Sequence, residues 1–407
     1  VLGDAPDIHA LPVGNAGNAP DTASMVPDTS TGYGSVSYDY RIGTYDVTIG
    51  QYCEFLNAVG KSDPNGLWDS NMEFDLNMAG IARAGSPGNY AYTVIGPAGP
   101  SQPPGATSPG NRPISYITWF SAARFANWLS NGQPVGLQGP TTTEDGAYTI
   151  TGTLTAPARN LVNPNTAATP TSWIPTENEW YKAAYYSPLL NSGSGGYFLY
   201  ATQSDDTPKN LLSGTATNVA NYYSWPGFSV TPSSGVVSGT QNYLSDVGAF
   251  ASSGSPYGTF DQSGLIFQWT DGTGGSGAVR RLRGGNWTDP NQLTISSRFF
   301  IEAAPAAHST PAYHFGFRLA GPASPPVITI AVTSGTQTQA QAGYALLSGT
   351  TAVVKTGAGT LVLDQANTLS GSLTVQGGRV SLANGSALGS GRLVVVAGGT
   401  AAVAPCL

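Results

Sequence analysis

Charged side chains are scarce in this sequence, at 10% of its 407 residues, against roughly 25% in an ordinary soluble domain. The 16 lysines and arginines form no basic cluster and the net charge is −7, so nucleic acid is not expected as a partner. No run approaches the roughly 18 apolar residues of a membrane-spanning helix, so no transmembrane segment is expected. A polar surface with so little charge is typical of exported bacterial proteins, and we expect an extracellular or cell-surface location.

Cysteine and histidine are also rare. Cys53 lies within a helical apolar pattern, and Cys406 lies close to the other end of the chain. We expect Cys53 to be a buried thiol, and a disulfide between the two cysteines is the alternative. Because there are only three histidines, His9, His308 and His314, and no Gly-x-Ser-x-Gly segment, a Ser-His-Asp hydrolase is not expected.

Glycine and proline, by contrast, are plentiful, at 53 and 30 residues, which favours turns and loops. Only a few segments have the apolar spacing of an amphipathic helix, and each follows a residue that can cap a helix. These predicted helices are residues 49–59 after Thr48, residues 119–129 after Ser115 or Thr118, and residues 177 to about 186 after Thr176. The stretch 187–260 lacks a sustained period and predicts ordered loops with a few short strands.

The chain is long enough for two domains, and its composition changes after Arg318. Residues 321–330 form a Pro-rich linker, because GPASPP cannot continue a helix or a central strand. We expect a flexible N-terminal arm at residues 1–32, a first domain at 33–320 and a β-rich segment at 331–407. In that segment, short runs recur about every ten residues between Gly or Asn turns, which favours a β-solenoid. The runs are residues 360–363, 373–375, 379–382 and 392–396.

A series of separated motifs carries a family resemblance. They are IGTYDVT (42–48), RPISY (112–116), IPTENEW (174–180), YGTFD (257–261), FQWT (267–270), RGGNW (283–287) and GFR (316–318). With these motifs in this order, residues 33–320 resemble the formylglycine-generating-enzyme, or sulfatase-modifying-factor, family. The resemblance implies an α+β, C-type-lectin-like fold with much irregular loop.

A second resemblance concerns the C-terminal segment. KTGAGTLVL (355–363), NTLSG (367–371) and VQGG (375–378) resemble the autotransporter-associated β-strand repeat. This resemblance implies that the segment from residue 331 onward is all-β and solenoid-like.

The first resemblance also implies a test for catalysis. The family's oxidases hold copper(I) with two cysteines, five residues apart, after the Arg-Gly-Gly motif, because soft thiolates suit that ion. Counting back from Arg298, the matching positions here are Asp289 and Thr294, and no cysteine lies between Cys53 and Cys406. We therefore expect no copper and no oxidase activity of the family type.

Calcium is a separate expectation, because the family commonly uses it to fix loops. The resemblance places a site at the Asn221 side chain and the Tyr222 carbonyl, with Asn242 or Asp246 as further oxygen ligands. A second family site has Leu265 where an asparagine is required and Gln268 where a glutamate is required. We expect that second site to be lost.

The leading hypothesis is a non-catalytic surface module that binds another surface protein or a glycan, or assembles with itself into a fibre or surface layer through its β-repeat and N-terminal arm. The first alternative is an oxidase that uses Asp289, His308 and His314 as metal ligands. The second is a variable lectin-like receptor. Candidate ligand-binding residues surround the loop at the family's active-site position and are Trp287, Asp289, Asn291, Thr294, Arg298, His308 and His314.

Overall fold

The computed structural model describes residues 8–24, 29–96, 105–150, 156–273, 279–288, 299–302, 314–323, 327–344, 347–349, 352–369, 372–389, 393–396 and 398–403. The chain divides into two compact units, Val1–Ala323 and Ser324–Leu407.

The first unit has few long elements. Its helices are α1 Ile49–Val59, α2 Asn71–Phe74, α3 Trp119–Ser130, α4 Glu177–Tyr185 and α5 Leu190–Gly193, with a 3-10 turn at Pro109–Asn111 and a π turn at Pro140–Glu144. Its strands are β1 Ala10–Val13, β2 Tyr40–Gly43, β3 Ile81–Ala84, β4 Ala91–Val94, β5 Tyr186–Ser187, β6 Gly196–Tyr197, β7 Tyr223–Ser224, β8 Gly227–Phe228, β9 Phe267–Thr273, β10 Val279–Arg283, β11 Phe299–Glu302, β12 Phe315–Gly316 and β13 Ala320–Pro322. The larger sheets have the orders β1-β2-β13 and β11-β10-β9-β12.

The long helices begin where the capping residues predict. The Thr48 hydroxyl accepts from the Gln51 amide at 3.2 Å, and the Gln51 side chain accepts from the Thr48 amide at 2.9 Å. Thr176 and Glu179 form the same reciprocal pair at the start of α4, with distances of 3.1 and 2.7 Å. Thr118 caps α3. Because each cap satisfies amides that lack a helical partner, these local signals fix the helix starts, and the predicted helices are confirmed.

The N-terminal residues correct one expectation. Ala10–Val13 pairs antiparallel with Tyr40–Gly43, and Val13 is fully buried. The Asn18 side chain donates to the Gly34 carbonyl and to the Tyr197 hydroxyl, both at 2.8 Å. The described residues before position 32 are therefore an integral part of the first unit, and the prediction of a flexible arm is wrong for them.

An aromatic core joins α1 and α3. Phe125 packs against Tyr52, Phe55 and Phe317, with ring centroids 5.2 to 5.9 Å apart. Cys53, on the same helix as Tyr52, is buried and unpaired, and burial raises the pKa of its thiol to about 11. Cys406 lies outside the described residues. The Cys53 thiol thus stays protonated at neutral pH, where it packs as a small apolar group.

A buried arginine, Arg318, connects the sequence motifs. Its guanidinium donates to the Gly43 carbonyl at 2.9 Å, the Phe260 carbonyl at 2.6 Å and Gln268 Oε1 at 2.6 Å. The Trp180 indole also donates to Gln268 Oε1, at 2.6 Å. Five of the seven motifs therefore meet at one polar point in the interior.

The charge of this arginine is balanced inside the core. Asp46 Oδ1 lies 3.5 Å from Arg318 Nη2, and both side chains are fully buried. Burial raises the pKa of Asp46 well above its usual value, and the nearby guanidinium opposes that rise. Burial likewise lowers the pKa of Arg318, and the Asp46 carboxylate opposes that change. Each charge therefore depends on the other.

The second unit is a parallel β-solenoid, as predicted. Its strands are β14 Val327–Ala331, β15 Thr336–Thr338, β16 Ser348–Gly349, β17 Ala352–Thr356, β18 Thr360–Leu363, β19 Thr368–Leu369, β20 Leu373–Val375, β21 Gly378–Leu382, β22 Leu393–Val395 and β23 Gly399–Val403. They form parallel sheets with the orders β14-β17-β20-β22, β15-β18-β21-β23 and β16-β19. Val353, Leu373 and Leu393 share one register, so the three rungs that contain these residues lie twenty residues apart.

Buried polar side chains set the spacing of the rungs. The amide groups of Asn367 and Gln339 exchange two hydrogen bonds of 2.8 Å, and Asn367 also bonds the Leu347 amide and the Ala387 carbonyl. The Lys355 ammonium donates to three carbonyls between 2.7 and 3.0 Å away. Since a buried polar group without a partner costs about 1–3 kcal/mol, these contacts favour one register of stacking.

Substitution of Arg318 tests its central position in the first unit. Arg318→Met leaves Asp46 buried without a counter-charge and should lower the free energy of unfolding by about 3–5 kcal/mol. Urea unfolding followed by tryptophan fluorescence reports on this unit, because all eight tryptophans lie in it. The control Lys61→Met removes an exposed charge and should change stability by less than about 0.5 kcal/mol. Equal effects of the two substitutions would contradict this account.

Candidate functional site

The structure describes two of the predicted ligand-binding residues, Trp287 and His314, and brings them together. Their ring centroids are 5.5 Å apart and the rings are perpendicular. The other predicted residues lie outside the described residues; they are Asp289, Asn291, Thr294, Arg298 and His308.

The RGGNW motif directs the chain into the candidate loop. Gly284 and Gly285 have φ values of +101° and +76°, a region that glycine enters at little cost. The Asn286 side-chain oxygen accepts from the Thr288 amide and hydroxyl, at 2.6 and 2.7 Å. The Trp287 amide donates to the Leu265 carbonyl at 3.2 Å. These contacts fix the point where the loop leaves the core.

An aromatic base lies beneath this point. Trp287 is only 3% exposed and stacks on Tyr243, with centroids 4.4 Å apart and planes inclined by 5°. Phe228 packs edge-on against Trp287 at 5.4 Å, and the Trp287 indole donates to Met78 Sδ at 3.4 Å. We call these four residues the aromatic base. They hold the indole by packing, so Trp287 anchors the loop from below.

His314 is buried beside this base, and burial lowers the pKa of its imidazole to about 3. The imidazole is therefore neutral at physiological pH. The His314 carbonyl accepts from the Phe267 amide at 2.9 Å, next to the pairing of β12 with β9. In the part of the chain that the structure describes, no three His, Cys, Asp or Glu side chains cluster as metal ligands would. The described residues of the site, which are the aromatic base and His314, are apolar or neutral.

The Asn221 side chain fits the expected calcium ligand. It is 1% exposed, and its Oδ1 receives no hydrogen bond. Its Nδ2 donates to the Tyr243 carbonyl at 2.9 Å and lies 3.4 Å from Ser245 Oγ. A buried amide oxygen without a donor is a ligand of the type that calcium prefers, and the Tyr243 carbonyl and Ser245 hydroxyl lie at the nitrogen end of the same amide.

The other predicted calcium ligands have different partners. The Tyr222 carbonyl accepts from Ser229 Oγ at 3.3 Å. Asn242 donates to the Ala79 carbonyl at 3.3 Å and accepts from the Leu244 amide at 3.0 Å. Asp246 Oδ2 accepts from the amide and hydroxyl of Thr107, at 2.8 and 2.7 Å. These bonds leave Asp246 Oδ1, like Asn221 Oδ1, buried and without a hydrogen-bond donor.

The residues at the positions of the family's second calcium site have other roles in the structure. Leu265 is 1% exposed and belongs to the apolar core, while both ends of the Gln268 amide are used near Arg318. Neither residue offers a free oxygen. Sequence reasoning missed Met78, Phe228 and Tyr243, because they come from loop segments whose apolar residues follow no period.

No curated protein matches the chain. Among solved structures, CarF is 17% identical and covers 79% of this chain and 99% of its own, with a TM-score of 0.37. Treponema denticola variable protein 1 is 16% identical and covers 77% and 94%, with a TM-score of 0.38. PvdO from Pseudomonas aeruginosa is 17% identical and covers 77% and 91%, with a TM-score of 0.37.

Two family models match the chain. The passenger-associated-transport-repeat model matches residues 353–382, within the solenoid. The model of the sulfatase-modifying factor enzyme 1-like domain matches residues 14–323, a span that begins within the expected arm and contains all seven motifs. Since this second match covers well over half of its length, the chain belongs to the sulfatase-modifying factor enzyme 1-like family.

Proposed function

We propose that this protein is a non-catalytic module of an exported surface protein. In this proposal, the first unit presents a binding loop on the aromatic base, and the solenoid extends it and joins copies to one another. The observation that carries the proposal is the donor chemistry after the Arg-Gly-Gly motif.

Copper(I) requires soft ligands, and this chain has none at the family positions. Asp289 and Thr294 offer only hard oxygens, and the nearest cysteines in sequence, Cys53 and Cys406, lie far from the loop along the chain. The described floor of the site is also apolar: Trp287 and neutral His314 contribute no anionic ligand. A family fold that is kept without the cysteine pair for copper supports a binding role rather than an oxidase activity.

Two observations support export. The solenoid carries a passenger-associated-transport repeat, a type of repeat whose name refers to exported passenger segments. The charged fraction of 10% is that of a surface made polar mainly by hydroxyl and amide groups. None of the helices that the structure describes has the length and apolarity of a membrane-crossing segment.

Self-association through the solenoid follows from its sheet edges. Within the described strands, β22 and β23 are the last members of their sheets. A terminal strand presents amides and carbonyls to which another chain can add a strand, and Val395 and Val396 there are 44% and 40% exposed. β1 is likewise the end member of its sheet, β1-β2-β13, so the described N-terminal residues offer a second edge for strand addition.

The alternatives make different demands on the same loop. A metal-dependent oxidase would need His314, Asp289 and His308 to converge, whereas His314 is buried against Trp287. A variable lectin-like receptor would need only that the loop tolerate sequence change above a fixed base, which the packing of Trp287 supports. Metal binding separates the first alternative from the proposal.

Copper binding is the direct test of the donor argument. The purified chain should retain no copper(I) against a strong competing chelator, whereas the double variant Asp289→Cys, Thr294→Cys should retain about one equivalent, because it restores a thiolate pair. Elemental analysis measures both. Stoichiometric copper or iron in the unaltered protein would contradict the proposal and support the oxidase.

Calcium should stabilise the first unit through Asn221. At a calcium concentration tenfold above the dissociation constant, linkage adds about 1.4 kcal/mol, or a rise of roughly 2 °C in the unfolding temperature of a unit of this length. Scanning fluorimetry with calcium and with EDTA measures this rise. Asn221→Ala should abolish it, and the control Asp206→Asn, at an exposed carboxylate of the same unit, should keep it. A rise that persists in Asn221→Ala would refute the Asn221 site.

Self-association should depend on the solenoid edge. Static light scattering should give an average mass that grows with protein concentration. Val395→Lys should reduce this growth, because a lysine on an edge strand disfavours strand addition. Leu189→Lys, at a residue 83% exposed in the first unit, is the matched control and should leave the mass unchanged. A constant monomer mass at all concentrations, with and without calcium, would rule out assembly.

A further inference from the structure

A single tryptophan of the first unit is exposed. Trp225 lies between β7 and β8 and is 85% exposed, whereas the other seven tryptophans are buried. An indole is the largest apolar side chain and is normally well buried, so its exposure at the tip of a hairpin calls for a ligand or partner.

The hairpin that carries Trp225 is held firmly from its inner side. Phe228 packs against Tyr243 at 5.1 Å and against Trp287 at 5.4 Å. The Asn210 amide donates to the carbonyls of Gly227 and Ser224, at 2.8 and 3.3 Å. These contacts fix the backbone of the hairpin, so little ordering of the backbone accompanies binding to the exposed indole.

Exposed aliphatic side chains occur in the two segments that contact the hairpin backbone. Leu211 follows the Asn210 contact and is 51% exposed. On the other side, a Cβ at Gly235 would lie 3.1 Å from the Pro226 carbonyl oxygen, and the next residue, Val236, is 77% exposed. We call Leu211, Trp225 and Val236 the Trp225 surface. It is apolar, narrow and centred on one flat ring.

The chain segment that carries this surface contains no charged residue. From Asn210 to Ser245 the sequence contains no Asp, Glu, Lys, Arg or His, while serine, threonine and asparagine are frequent. A charged ligand would therefore find no counter-ion in this segment, whereas hydroxyl groups of a ligand would find hydroxyl and amide partners. The segment suits a ligand that is uncharged, rich in hydroxyls and apolar on one face.

We propose that the Trp225 surface binds an uncharged glycan. The ring face of a neutral sugar presents C–H groups that stack on the electron-rich face of an indole, and the hydroxyls at its edge hydrogen-bond to neighbouring polar groups. One indole and two aliphatic side chains expose much less than the roughly 800 Å² that each partner contributes to a standard protein interface. The size of the surface thus favours sugar rings over a folded protein.

This site lies outside the loop after Arg-Gly-Gly, and it depends neither on calcium nor on the absence of catalysis. Failure of the glycan proposal would leave the proposed function intact, and the reverse also holds.

Native gel electrophoresis through neutral polysaccharides tests the proposal. The full chain is run in gels that contain dextran, mannan, laminarin or xyloglucan, with carboxymethyl cellulose as the charged comparison. At least one neutral polysaccharide should retard the protein. Trp225→Ala should weaken binding roughly tenfold or more, and Trp225→Phe should lie between, because it keeps a smaller aromatic face. The control Leu189→Ala should bind like the unaltered protein.

The outcomes separate the possible occupants of the surface. Because Trp225 is exposed, its substitution should leave the unfolding temperature unchanged, and circular dichroism checks this. No retardation by any neutral polysaccharide, equal retardation of Trp225→Ala, or stronger retardation in the charged gel would overturn the proposal. Loss of self-association in Trp225→Ala without a change in retardation would assign the surface to a second copy of the chain.

Discussion

The contacts of Arg318 are the constraint on which the first unit depends. This buried guanidinium joins β2 to the segment before β9 and to Gln268 on β9, both of which lie far from β2 in sequence. A domain made mostly of loops cannot rely on long helices and sheets to fix its backbone, so it needs specific bonds between loops. A charged donor with several carbonyl acceptors supplies them in one place, and Asp46 keeps that place neutral.

The position of this constraint explains how the family's fold can be kept when the residues at the family's metal positions change. Five of the seven motifs meet at the buried polar centre, whereas the family's metal positions, Asp289 and Thr294, follow the RGGNW motif. The aromatic base around Trp287 holds the start of that stretch without any metal ligand among its side chains. The proposed loss of the copper site would therefore leave these core contacts in place, because residues other than Asp289 and Thr294 make them.

Local signals allowed much of the fold to be predicted from the sequence. The caps at Thr48 and Thr176 act over three residues, and the solenoid strands repeat a pattern, so both are visible without the fold. The strand Ala10–Val13 was not predictable, because four residues show no clear period and its partner is thirty residues away. Sequence spacing also could not reveal that Asp246 Oδ2 accepts from Thr107, since that contact depends on packing between loops.

Oxygen consumption tests the central claim most directly. The full chain, supplied with copper(I) and a thiol-containing peptide, is placed in an oxygen electrode and compared with the same solution without protein. The account predicts equal rates of oxygen uptake, because no thiolate pair is available to hold the metal for reaction with oxygen. Protein-dependent uptake that continues over many turnovers would contradict it.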